Sequence, residues 1–251
     1  MRVCAVSYLN TVPLVWGMLE GAERGRFELS FSVPSECADR LAAGEVDIGI
    51  VPSVELPRLN LGLIPGTGIA CRGAVRSILL ISKVAPGQVR LLAADSSSRT
   101  SVALARILLA RRWGAQPVVR SYPPDLPRML EAADAALLIG DPALRVEIER
   151  LPYAVHDLGQ EWVEWTGLPM VFAVWACRAG LEPGELAPAF LDSCRFGLEH
   201  LDDIVRLEAP RRGISEALAR EYLTRRVVLE LGEPEYEGLR LFLGYARELA
   251  V

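Results

Sequence analysis

The residues best suited to chemistry lie together in Asp95-Ser96-Ser97-Ser98-Arg99-Thr100-Ser101. The apolar run at residues 89–94 before them reads as a strand. After them Leu104, Ile107, Leu108 and Arg111 recur at helical spacing. The hydroxyl run is therefore a strand-to-helix turn, with Ser97 or Ser98 as N-cap and Gly114 as the stop. A helix N-terminus carries unpaired N–H groups and a partial positive charge. With the hydroxyls of Ser97, Ser98, Thr100 and Ser101 and the guanidinium of Arg99, it makes a nest for a carboxylate or phosphate. A capped, solvent-facing helix would use the same residues. A second polar turn, Ser7-Tyr8-Leu9-Asn10-Thr11-Val12-Pro13, favours the nest. There Asn10 or Thr11 can cap a helix that accepts Pro13 in its first turn. Gly140-Asp141-Pro142 is a third polar helix start.

The elements around these turns alternate. Strands at residues 3–6, 27–33 and 46–51 with helices between them make a βαβαβ unit, and Pro52-Ser53-Val54-Glu55 is the turn that follows. A second series begins at residue 89, with strands at 89–94, 117–121 and 135–139. Ligands of such sheets bind beyond the carboxyl ends of the strands, where all the polar turns fall. Residues 61–83 break the rhythm, and Ala85-Pro86-Gly87 reads as a crossing between lobes. Residues 170–177 read as a buried strand making the return crossing, and the remainder is helical. The expected organisation is residues 1–85 plus 178–251 in one lobe, 86–177 in the other, and a cleft between them.

Composition narrows the function. The chain has 251 residues, 51% of them apolar, and a net charge of −5. The negative charge and the lack of a basic patch argue against nucleic acid and anionic membranes. The longest apolar run, at residues 170–177, is far short of the roughly 20 residues of a membrane helix. Residues 1–6 read as a strand rather than a signal peptide. Cys4, Cys37, Cys71, Cys177 and Cys194 have no C-x-x-C spacing and read as reduced core residues, so a cytoplasmic location is expected. His156 and His200 form no zinc motif, no nucleotide-binding loop follows a strand, and the single lysine, Lys83, sits at a strand end. No cofactor and no metal are expected.

The chain resembles the chorismate dehydratase family of the futalosine route to menaquinone. The resemblance lies in Val6-Ser7-Tyr8-Leu9-Asn10-Thr11-Val12-Pro13-Leu14, in residues 44–53, in residues 95–101, in Ile139-Gly140-Asp141-Pro142-Ala143-Leu144, and in residues 157–162 and 165–169. It implies a two-lobed α/β fold like the type II periplasmic solute-binding proteins, with a ligand cleft between lobes. It implies removal of water from chorismate to give 3-[(1-carboxyvinyl)oxy]benzoate. That reaction needs sites for two carboxylates, a base for a ring proton, a donor to the departing hydroxyl and exclusion of water. The expected binding residues are Ser7, Asn10, Ser53, Ser77, Ser97, Ser98, Arg99, Thr100 and Ser101. Asn10 is expected to hold the substrate without taking the proton. Glu55 and Asp141 are the carboxyl candidates for the base, and a carboxylate of the substrate is an equal alternative. Trp162, Trp165 and the turn after them either close the cleft or pack the core. The alternatives are a 1,4-dihydroxy-6-naphthoate synthase of the same pathway, a small-anion binding protein and, more distantly, a helical interaction module. Oligomeric state is open.

Overall fold

Two separate β-sheets organise the chain, and the computed structural model describes residues 1–249. The strands are β1 (Arg2–Val6), β2 (Glu28–Ser32), β3 (Ile48–Pro52), β4 (Gly62–Cys71), β5 (Ile78–Ser82), β6 (Leu91–Asp95), β7 (Val118–Tyr122), β8 (Ala135–Ile139), β9 (Ala154–Asp157), β10 (Met170–Cys177) and β11 (Val228–Glu230). The first sheet has the order β11-β4-β10-β3-β1-β2, the second β7-β6-β8-β5-β9. β1 runs parallel to β2 and β3, and β6 parallel to β7 and β8. These are the two βαβ units of the sequence, one in each lobe.

Strand position follows composition. β3, β5, β8 and β10 are buried throughout, as continuous apolar strands covered on both faces must be. β2 and β7 carry polar residues and lie at edges. The helix Pro183–Glu199 packs against Val12–Glu20, so the C-terminal helices cover the first lobe.

The sheets divide the chain one strand earlier than expected at both crossings. β5 belongs to the second sheet, antiparallel between β8 and β9. β10 belongs to the first, antiparallel between β3 and β4. The chain therefore changes lobe between Cys71 and Ile78, and returns before Met170. Ala85-Pro86-Gly87 is a turn inside the second lobe. A wholly apolar strand satisfies the centre of either sheet equally, so composition could not assign these two. Trp162 is also not at the cleft. It is fully buried, packs on Trp165, Phe242 and Tyr245, and donates its indole N–H to the Pro169 carbonyl at 3.2 Å.

The carboxyl ends of β1, β2 and β3 meet those of β6 and β8 across the cleft. Backbone and side-chain bonds join them directly: Ser35 N–H to the Ser97 carbonyl at 3.1 Å, and Leu9 N–H to Asp141 at 2.9 Å. The lobes are closed on each other.

Candidate active site

Between the lobes lies a small pocket of about 50 Å³. Its polar lining is Tyr8, Asn10, Ser77, Ser98 and Ser101; its apolar lining includes Val6, Ile69, Val75, Ile78 and Phe172. The turns that carry Asn10 and Ser98 to Ser101 are those expected at strand ends. Ser98 caps the helix Arg99–Arg111 by accepting the Ser101 N–H, which aims the start of that helix at the pocket. Gly114 follows that helix with φ +74°, as a glycine stop should. Asn10 lies in a single 3₁₀ turn, Leu9–Thr11, ahead of the helix Val12–Glu20.

Asn10 is not a cap: neither helix start takes a bond from its side chain or from Thr11. Its amide Nδ2 instead donates to the Tyr222 hydroxyl at 2.9 Å, and Tyr222 donates to Ser77 Oγ at 2.9 Å. Tyr222 was not foreseen as a site residue. It lies 212 positions from Asn10, and its only signal was a hydroxyl on a helix face that otherwise looked like core.

Tyr8 was also outside the expected set. Its hydroxyl meets Ser97 Oγ at 3.0 Å across the cleft. Its ring lies against Gly140, where an added Cβ would come within 2.6 Å of it, and Gly140 has φ +60°. Both constraints require glycine there. Burial pushes the Tyr8 phenol up to about 12 and raises that of Tyr222, so both stay protonated donors at neutral pH.

The other expected residues are engaged differently. Arg99 does not enter the pocket. Its guanidinium crosses to the first lobe, with both Asp39 oxygens at 2.8 Å and Glu55 at 3.2 Å, beside an open groove of about 870 Å³. Glu55 is buried and held by Arg58 and Arg99. Asp141 takes the Leu9 N–H at 2.9 Å and the Arg212 guanidinium at 3.1 Å. Burial raises the Asp141 carboxyl against those two partners. Neither carboxyl candidate reaches the pocket, because each is consumed by an arginine at the lobe interface. Ser53 donates to the Val171 carbonyl at 2.8 Å, and Thr100 accepts the Val54 N–H at 3.3 Å. Ser7 contributes its carbonyl to Arg212 at 2.7 Å. Ser97 donates to Asp95 at 2.6 Å, and Asp95 Oδ2 is buried without a partner among the described residues.

The pocket thus offers four hydroxyls and an amide with an apolar lining. Among the described residues no carboxylate, histidine or lysine lines it. It can bind an anion with a flat apolar body and can donate hydrogen bonds. It does not supply a side-chain base.

A two-lobed α/β fold with a donor-lined pocket at the strand ends is the architecture of the solute-binding proteins. The structure superposes on the periplasmic aliphatic sulphonate binding protein SsuA of Escherichia coli with TM-score 0.66 at 11% identity, covering 100% of this chain and 87% of that one. A crystal structure of an Archaeoglobus fulgidus protein superposes with TM-score 0.79 at 17% identity, covering 99% and 97%. Sequence is more specific than shape. Residues 1–248 match the family described as menaquinone biosynthesis, and the chain belongs to it. It is 35% identical over 254 residues to the chorismate dehydratase of Thermus thermophilus, covering 94% of this chain and 91% of that protein. It is 29% identical over 179 residues to that of Campylobacter jejuni, covering 68% and 65%. Among the described residues no helix is long and apolar enough to cross a membrane.

Proposed function

We propose that this chain is a chorismate dehydratase, converting chorismate to 3-[(1-carboxyvinyl)oxy]benzoate and water. The observation that carries the reading is the 35% identity with a chorismate dehydratase over 94% of this chain. The pocket supports it, because its lining combines donors for carboxylates with apolar residues for a ring.

The chemistry is one C–H and one C–O cleavage. The ring proton beside the enolpyruvyl ether leaves, and its electron pair delocalises through the adjacent double bond towards the ring carboxylate. Hydroxide then departs from the neighbouring carbon with a proton, and the ring becomes aromatic. Donors to the ring carboxylate stabilise the charge that develops there. Ser98 and Ser101, with the helix start behind them, take the ring carboxylate. Asn10 and Ser77 hold the enolpyruvyl side. The lining contains no side-chain base, which favours a carboxylate of the substrate as the proton acceptor over Glu55 or Asp141. A pocket of about 50 Å³ is too small for this substrate, since sites for such molecules hold roughly 300 Å³ or more. The lobes must part to admit chorismate and close on it less tightly than in this structure, and that closure excludes water.

The product separates this reading from the pathway's naphthoate synthase and from a binding protein that only captures an anion. All five cysteines are buried and free, which supports a reducing, cytoplasmic setting. Incubation of the purified protein with chorismate tests the reading. Loss of one water with appearance of aromatic absorbance supports it; recovery of unchanged chorismate refutes it.

A further inference from the structure

The pocket wall is backed by a group that does not line it. Tyr222 is 1% exposed and sits at the start of a five-residue π-helical segment, Tyr222–Arg226. Such segments are uncommon and are frequent at functional sites. Its hydroxyl meets two residues of the pocket, accepting from Asn10 Nδ2 at 2.9 Å and donating to Ser77 Oγ at 2.9 Å. Thr11 Oγ1 approaches Asn10 Oδ1 at 3.4 Å, which fixes the amide in the same sense.

We infer that Tyr222 is a positioning residue for the dehydration, ordering a donor chain that runs Asn10 to Tyr222 to Ser77 and ends in the pocket. A tyrosine hydroxyl has one proton. Because the Asn10 N–H occupies its lone pair, that proton goes to Ser77. Ser77 then accepts through its oxygen and is left with its own proton to give. No other partner in the described structure takes that proton, so it is directed to the ligand. The chain is polarised in one direction, and each bond strengthens the next. A phenylalanine would fill the same volume but leave the Asn10 N–H without its partner and the Ser77 hydroxyl free to rotate. Tyr222 also ties the first-lobe turn at Asn10 to the crossing segment at Ser77, so the chain is complete only when both are in place.

This inference rests on the dehydratase reading, and Tyr222→Phe tests it with kcat, KM and melting temperature measured together. The expected result is a fall in kcat of about 10- to 100-fold, with KM changed less than about threefold. The Ser77→Ala variant should lose a similar factor, and the double variant no more than the worse single one, because one chain is broken in either place. Wild-type kcat in Tyr222→Phe, or losses that multiply in the double variant, would overturn it. If Tyr222→Phe does not fold, 3-fluorotyrosine in place of Tyr222 keeps the ring and both bonds while making the phenol a stronger donor. A kcat shifted by about twofold or more at unchanged melting temperature then supports the chain, and an unchanged kcat overturns it. A wild-type protein inert towards chorismate refutes the dehydratase reading and this inference with it. An active wild type with an equally active Tyr222→Phe refutes the inference alone.

Discussion

Replacing Asn10 by Asp separates a residue that holds substrate from one that only shapes a turn. The change keeps the side-chain volume, and no cap bond is lost because Asn10 makes none. Asn10 is 8% exposed, so a carboxylate there is poorly screened. At ~4 Å from a substrate carboxylate, with an effective dielectric near 20, two like charges repel by about 4 kcal/mol. The Tyr222 hydroxyl can turn to donate to the new carboxylate, which returns about 1.5 kcal/mol. That leaves about 2.5 kcal/mol, or close to a 10²-fold loss. The turn also withdraws the proton that Ser77 receives at 2.9 Å, which adds to the loss. The assay is kcat/KM for chorismate across pH, with melting temperature as control. The loss should be largest at neutral pH and should narrow as the buried carboxylate protonates on acidification. Full activity of Asn10→Asp at neutral pH would refute the placement of Asn10 against the substrate.

Arg99→Ala should lower stability rather than binding. Glu55, with a side chain only 3% exposed, would keep Arg58 but lose its bond across the cleft. A cost of about 1–2 kcal/mol, or roughly 2–8 °C in melting temperature, is expected with KM raised less than about tenfold. A KM raised 10²-fold at unchanged melting temperature would put the guanidinium on the substrate instead. Asp47→Asn should be costly only when Asp47 is ionised. The Arg2 side chain and N–H, then Arg178, hold its carboxyl well below the ordinary value of 3.8. A depressed native value means the stabilisation is present above 3.8 and is lost as pH falls through the native value. The stability gap between wild type and variant should therefore be full at neutral pH and shrink below about pH 4. A gap that stays constant on acidification would contradict the ion-pair assignment.

Local chemistry was legible in the sequence; partnership across the cleft was not. Ser98 caps its helix and Gly114 stops it because both are decided within a few residues. Asn10, Ser77, Ser98 and Ser101 reach the pocket because strand ends put them there. Arg99, Glu55 and Asp141 looked like binding and catalytic groups by type. Arg58 holds Glu55 from the next turn of the same helix, whereas the pairs Arg99–Asp39, Arg99–Glu55 and Asp141–Arg212 join exposed-looking charges whose approach depends on the lobes being closed. Tyr222 was hidden for the same reason, because a tyrosine on a helix face reads as core until its hydroxyl is seen to meet Asn10 and Ser77. The exchange of β5 and β10 between lobes reflects a different limit, because uninterrupted apolar strands carry no mark of which sheet they enter.

Closed lobes strip water from chorismate while leaving its enolpyruvyl ether intact. Proton NMR of chorismate with a catalytic quantity of the protein tests it most directly. The predicted spectrum loses the signals of the two saturated ring positions, gains aromatic ring protons and keeps the vinyl protons of the side chain. With deuterium at the ring carbon bearing the ether, the label should leave to solvent. Loss of the vinyl signals with appearance of a pyruvate methyl, or a spectrum unchanged by folded protein, would rule this dehydration out.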